Sequence, residues 1–185
     1  MNEFELRILD FIREHLTCPF LDAVMPIITK FGDGGIFWIA VALLFIIIKK
    51  TRKTGISMGA ALLIGLIIGN LILKNSFARI RPYDLNPAIR PELLVKALSD
   101  YSFPSGHTLA SFEAATVLLI RDKRFGIPAI ILAVLIAVSR LYLYVHYPSD
   151  VLAAAVLGTF IGILSCKLID RIYEKIQNRK QLKTE

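Results

Sequence analysis

Charged residues along the chain are clumped, and long uncharged runs separate the clumps. No Asp, Glu, Lys or Arg occurs from Gly34 to Ile48, from Thr54 to Leu73, from Phe125 to Ser139, or from Val151 to Cys166. A bilayer core about 30 Å thick takes roughly 20 helical residues, with about 17 as a lower bound. Thr54 to Leu73 meets that length alone. The other runs reach it when flanking side chains such as Lys49 and Lys167 snorkel toward the headgroups. A fifth apolar stretch, residues 105–120, is interrupted by His107 and Glu113. The pattern predicts membrane-spanning helices over about 34–50, 54–79, 105–121, 126–146 and 149–172. The fold class expected is an all-α membrane protein, a bundle of five transmembrane helices.

At the N-terminus, Phe4, Ile8, Phe11, Ile12 and Leu16 recur at helical spacing among Glu3, Glu5, Asp10 and Glu14. This is an acidic amphipathic helix, expected to lie along the interface. It lacks the basic and apolar regions of a signal peptide. Residues 19–31 are apolar but hold Asp22, Pro26 and Lys30, and are too short to span alone. A sixth crossing there is the less favoured reading. Ala61, Gly65 and Gly69, and separately Gly158 and Gly162, place small residues four apart, which lets helix backbones approach closely in lipid. The expected organisation is an N-terminal interfacial segment over 1–31, a transmembrane domain over 32–173 and a polar tail over 174–185 that frays into solvent.

Composition agrees. The chain has 185 residues, 55% hydrophobic and 20% charged, with a mean hydropathy of +0.60. The length suggests one domain, and disorder, collagen and coiled coil are excluded. Cys18 and Cys166 are too few and too far apart for a disulfide framework or a zinc site. The net charge of +7 matters less than its distribution between the two membrane sides. The 49–53 and 121–124 loops and the C-terminal stretch hold thirteen Lys and Arg; the other side holds nine if the N-terminal helix rests there. Short cytoplasmic loops collect basic residues. The expectation is a plasma-membrane protein with a cytoplasmic C-terminus.

Ionisable groups at membrane helices are costly and are functional candidates by default. Three clusters stand out. Lys74 and Arg81 are seven apart, two helical turns, and can project from one face, with Pro82 ending the helix. Alone, they could be cations snorkelling to lipid headgroups. Ser105 is a natural N-cap after Pro104, and Gly106 and His107 open a helix whose free N–H groups form an anion site. Alone, that could be simple capping. Arg140 follows fifteen uncharged residues, and His146 and Asp150 stand four apart around Pro148, which suits a helix's first turn. A carboxylate on one imidazole nitrogen frees the other as nucleophile or ligand; a lone pair of this kind is more often structural. All three clusters fall at helix ends on the same membrane side. Three cations, two histidines, an aspartate and free N–H donors converging on one surface suit a phosphate.

The run Lys74-x6-Arg81-Pro82, then Pro104-Ser105-Gly106-His107, then Ser139-Arg140-x5-His146-x3-Asp150 resembles the three-part signature of the type 2 phosphatidic acid phosphatase family. Every signature residue is present, in order, across residues 74–150. The resemblance implies a membrane lipid phosphatase. His146 would be the nucleophile forming a phosphohistidine, Asp150 its orienting partner, and His107 the acid and then the base. Lys74, Arg81, Ser105, Gly106 and Arg140 would hold the phosphate oxygens. It implies neither cofactor nor metal, since Asp150 is the signature's only acidic residue. The expected partners are a lipid phosphate and membrane lipids, with no nucleic acid. Undecaprenyl diphosphate is the favoured substrate; phosphatidic acid and phosphatidylglycerophosphate are alternatives. Vanadium haloperoxidases share the anion-binding set but are soluble. A non-catalytic membrane transporter or lipid-binding protein with a degraded site is the remote alternative. The basic-residue distribution places the site outside the cytoplasm. Residues 82–103 are expected to be a lid, an interfacial rest for the lipid tail, or a plain surface connection. Glu113 lies outside the signature and is expected to be an ion-pair partner rather than a proton relay.

Overall fold

The computed structural model describes residues 2–86 and 88–181. Helix α1 spans Asn2–Leu16, α2 Pro19–Lys30, α3 Ile36–Ile47, α4 Arg52–Gly65, α5 Lys74–Phe77, α6 Pro82–Leu85, α7 Gly106–Arg121, α8 Lys123–Tyr142 and α9 Pro148–Gln181, with no strand among the described residues. A π-helical stretch, Leu66–Leu73, joins α4 to α5. Four stretches are long and apolar enough to cross a bilayer: Pro19–Ile47, Arg52–Leu85, Lys123–Tyr142 and Pro148–Arg179. The 16-residue α7 is shorter but runs among them from end to end. His107 meets the α2–α3 connection at one end, and Arg121 meets Asp170 and Ser57 at the other.

The bundle is inside-out relative to a water-soluble one. Its outward faces carry Leu43, Leu63, Leu71, Ile131, Leu152, Val156 and Phe160, all exposed. Small residues fill the interior instead. A Cβ on Gly158 would lie 2.7 Å from the Leu109 carbonyl oxygen, and one on Gly162 2.9 Å from that of Glu113, so α9 crosses α7 backbone to backbone. The glycine spacing therefore packs helices within this chain. Buried polar side chains find partners across these contacts: Trp38 on α3 donates to Ser111 on α7 at 3.0 Å.

Helix α2 packs beside the end of α8. Its Asp22 accepts from the Tyr142 hydroxyl at 2.6 Å, and its Thr29 accepts from Arg140 at 2.5 Å, so both ends stay where α8 finishes. Gly34 and Gly35, at φ 56° and 68°, then turn the chain into α3, a left-handed backbone that a side chain would oppose. That turn starts the helix at Ile36 rather than at residue 34. Similarly, α8 ends at Tyr142, short of the expected 146, because residues 143–147 form a tight loop with Tyr144 at φ 59°. The expected fraying from 174 onward is not seen: α9 stays helical through Gln181, and the last four residues lie outside the described part. Helix α1 does more than rest on a surface. Its Leu9 and Glu5 are buried at the same end of the bundle as the three signature clusters.

Candidate active site

The first cluster converges by a route other than helical periodicity. Helix α5 stops at Phe77, Ala78 takes the left-handed region at φ 43°, and Arg81 is extended ahead of Pro82. Lys74 and Arg81 nonetheless meet, because both grip Asp100 from the returning 86–105 segment. Lys74 Nζ is paired with Asp100 Oδ2. Arg81 donates to Asp100 Oδ1 at 2.7 Å and, through Nε, to the Asp100 carbonyl oxygen at 2.8 Å. Burial alone would raise the Asp100 carboxyl, but Lys74 and Arg81 hold it down to about 2. The carboxylate thus pairs with both cations of the first cluster.

Arg81 also orders the third cluster. Its Nη1 donates to the Val145 carbonyl oxygen at 2.7 Å and lies 3.3 Å from His146 Nε2. His146 is buried, and burial followed by the charges of Arg81 and Arg140 pushes its pKa well below the ordinary value. A guanidinium can only donate, so Nε2 faces Arg81 as an acceptor. On its other side, Nδ1 lies 3.6 Å from Asp150 Oδ2 and 3.4 Å from Ser102 Oγ. Asp150 is fully buried; its Oδ2 accepts from the Ser102 hydroxyl at 2.5 Å and from the Tyr147 N–H at 3.0 Å. Asp150 thus stands behind His146, with Ser102 between them.

Ser105 occupies the N-cap position of α7, yet its hydroxyl makes no capping bond; it accepts from Thr108 at 3.0 Å. Gly106 opens the helix beside Asn70, to which an added Cβ would stand at 3.2 Å. His107 Nε2 meets Asp33 Oδ1 at 2.7 Å. Arg140 is buried, holds Thr29, and its Nε has no hydrogen-bond partner.

Lys74, Arg81, Asp100, Gly106, His107 and His146 line one end of a cavity of about 310 Å³. The cavity continues past Leu66, Leu62, Ile39 and Leu109 to Glu113. Ser105, Arg140 and Asp150 flank it rather than line it. Glu113 is not an ion-pair partner. It is buried against Gly65, where an added Cβ would fall 1.7 Å from Oε1, and that oxygen has no hydrogen-bond partner. The cation needed for a pair is missing because α4 presents a glycine there.

Sequence reasoning missed Asp100, Asp33, Ser102, Arg79 and Glu5 as site components. Only Arg79 lies inside a cluster that stood out, between Lys74 and Arg81, where it counted only toward the basic residues of that side. Asp33, Asp100 and Ser102 sit in segments without periodicity or motif, and Glu5 read only as part of the polar face of the N-terminal helix.

A helical membrane bundle with cations, histidines and helix N–H groups around one apolar-walled cavity defines a multi-pass membrane phosphatase. The chain belongs to the PAP2 superfamily, whose sequence model matches residues 54–174. It is 39% identical to an undecaprenyl-diphosphatase of Sulfolobus acidocaldarius over 150 residues, 80% of this chain and 70% of that one. It is 30% identical to the undecaprenyl-diphosphatase BcrC of Bacillus subtilis, covering 86% of each. The crystal structure of a transmembrane PAP2-type phosphatidylglycerolphosphate phosphatase from Bacillus subtilis aligns with a TM-score of 0.74 at 26% identity, over 92% of this chain and 86% of that one.

Proposed function

We propose that this phosphatase hydrolyses the terminal phosphate of a polyprenyl diphosphate, undecaprenyl diphosphate above all, through a phosphohistidine. The observation that carries this is the His146 arrangement: an imidazole with Asp150 behind Nδ1, and Nε2 turned toward Arg81 at the polar end of an apolar-walled cavity. A phosphate that displaces the Asp100 carboxylate keeps the same two cations. Its phosphorus then faces the Nε2 lone pair.

Phosphoryl transfer needs positioning and charge stabilisation more than covalent help. Lys74, Arg81 and Arg140 supply positive charge, and the Gly106 end of α7 supplies N–H donors. Attack by Nε2 breaks the bond to the leaving oxygen, and His107 donates the proton that oxygen needs. Asp150 stabilises the imidazolium character that develops on His146. Water activated by His107 then cleaves the phosphorus–nitrogen bond and releases inorganic phosphate. Among the described residues, no three His, Cys, Asp or Glu side chains converge as a metal-binding group. The lipid chain leaves the cavity past Ile39, Leu62 and Leu66 toward the exposed outer faces. The site faces the outside of the plasma membrane, with the C-terminus in the cytoplasm, in keeping with the distribution of Lys and Arg.

The relative of solved structure supports a second reading, a phosphatidylglycerophosphate phosphatase. Purified protein in detergent, offered undecaprenyl diphosphate, phosphatidylglycerophosphate and phosphatidic acid in excess EDTA, separates the two. The diphosphate is expected to give the highest kcat/KM, with chelation costing nothing. His146→Ala and His107→Ala are each expected to lower turnover at least about a hundredfold. Near-normal turnover by His146→Ala would refute the phosphohistidine route, and preference for the glycerolipid would favour the second reading.

A further inference from the structure

Asp150 uses both of its oxygens. Oδ2 serves His146, Ser102 and Tyr147, and Oδ1 accepts from Arg79 Nη1 at 2.5 Å. Arg79 is not a signature residue. Its guanidinium lies 3.9 Å from the ring centroid of Tyr147 and donates to the Ser149 hydroxyl at 2.7 Å. Through Nη2 it also reaches Glu5 Oε2 at 2.5 Å. The remaining oxygen of Glu5 accepts the Ser149 N–H at 2.8 Å, in the first turn of α9. The helix α1 side chain therefore caps the helix that carries Asp150 and grips the arginine that touches it. Glu5 is 6% exposed and Asp150 0%.

Count the charges behind His146. Asp150 with Arg79 alone would be neutral, and a neutral pair stabilises a developing imidazolium poorly. Asp150 with Glu5 alone would be two buried carboxylates repelling one another. The three together carry one net negative charge, fixed in place by hydrogen bonds at every oxygen.

Resting on the His146–Asp150 reading above, we infer that Arg79 and Glu5 are positioning residues for the phosphatase reaction. Arg79 fixes the Asp150 carboxylate behind His146, and Glu5, brought by α1, restores the negative charge that Arg79 cancels. The N-terminal helix is thereby part of the catalytic assembly. Detaching it would act on the chemical step, not on lipid binding, because neither residue lines the cavity.

The test uses full-length protein in detergent, with kcat and KM measured on undecaprenyl diphosphate for Arg79→Gln, Arg79→Lys, Glu5→Gln and the double variant Arg79→Gln/Glu5→Gln. Arg79→Gln is expected to lower kcat at least about tenfold with KM within about twofold, the usual scale for a group that orients a reacting one. Arg79→Lys, which keeps the charge but not the fork, should recover part of that loss. Glu5→Gln should lower kcat roughly threefold to tenfold. The double variant again has one negative charge, so it should turn over faster than the slower single variant. A purely structural role predicts that the two losses multiply, and that result would overturn the inference; so would an effect confined to KM. Should Arg79→Gln not fold, Glu5→Gln and Arg79→Lys decide by the same kcat criterion. Asp150→Asn, run alongside, separates the two levels. If it keeps wild-type turnover, the His146–Asp150 reading itself fails. If it is inactive while Glu5→Gln and Arg79→Gln are normal, only the present inference fails.

Discussion

Arg140 shows how a single residue is held in readiness. It is buried, yet one nitrogen spends its bond on Thr29 at 2.5 Å while Nε has no partner. A buried guanidinium with an open donor is costly unless an anion completes it. In the proposed mechanism the substrate phosphate is that anion. Arg140→Lys keeps the charge and loses the planar fork. It is expected to lower kcat/KM at least about tenfold, a loss of roughly 1.4 kcal/mol in transition-state binding. Steady-state kinetics on the diphosphate will check this, and a wild-type kcat/KM would mean that Arg140 serves as a bulk charge only. At this scale the signature was legible because its residue types are improbable at membrane helices. Their partners were not. Asp33, Asp100 and Glu5 are ordinary acidic residues in sequence, and each gains its role only when a remote segment packs against the signature. Glu113 shows the converse: an improbable residue whose expected cation is replaced by Gly65.

Among the elements, the 86–105 return segment matters most to the site. Among its described residues it has little regular structure, one 3₁₀ turn at Arg90–Glu92, yet it supplies Asp100 to the cations and Ser102 to Asp150. The Tyr83 hydroxyl holds its middle, donating to the Leu98 carbonyl oxygen at 2.8 Å and accepting the Leu98 N–H at 2.9 Å. For residues 82–103 a lid, a rest for the lipid tail or a plain connection was the expectation; the structure adds that Asp100 pairs with Lys74 and Arg81, and in the proposed mechanism the substrate phosphate displaces it. Asp100→Asn keeps the backbone carbonyl that Arg81 uses and removes the competing charge. Inorganic phosphate and vanadate should then inhibit at concentrations about fivefold lower, from roughly 1 kcal/mol for a half-exposed ion pair. An unchanged or weaker inhibition constant would show that Asp100 orients Arg81 rather than blocking it. The sign with pH follows from the lowered carboxyl. The pairing is fully formed above about pH 4 and is lost only as pH falls toward 2. Titration of Asp100 should therefore contribute no change to the wild-type inhibition constant for vanadate in mild acid. The π-helical stretch before Lys74 was not legible, since Leu66–Leu73 reads as ordinary apolar helix. The register it sets depends on Gly65 and Gly69 packing on α7, a tertiary effect.

For the whole molecule, charge-free runs made the crossings legible because the bilayer imposes length and apolarity on each segment separately. Docking of α1 and α2 was not legible, since it follows from contacts at one end of the finished bundle. Those contacts also sort the chain's charges. Asp170 on α9 pairs with Lys53 at 2.5 Å and with Arg121 at 2.8 Å, so both tight loops and the end of α9 share one end of the bundle. Lys74, Arg81, Arg140, α1 and α2 share the other. With its basic loops, the Asp170 end is the one proposed to face the cytoplasm. Cysteine labelling in intact cells checks the orientation. In a chain without Cys18 and Cys166, one cysteine replaces Ser99 in the return segment or, separately, Asn178 near the end of α9. Both positions are exposed, so reach by the reagent is decided by the membrane and not by packing. An impermeant maleimide is expected to label position 99 and to miss position 178 until the cells are permeabilised. The reverse pattern would invert the molecule, and the phosphatase would then act on headgroups of the cytoplasmic leaflet.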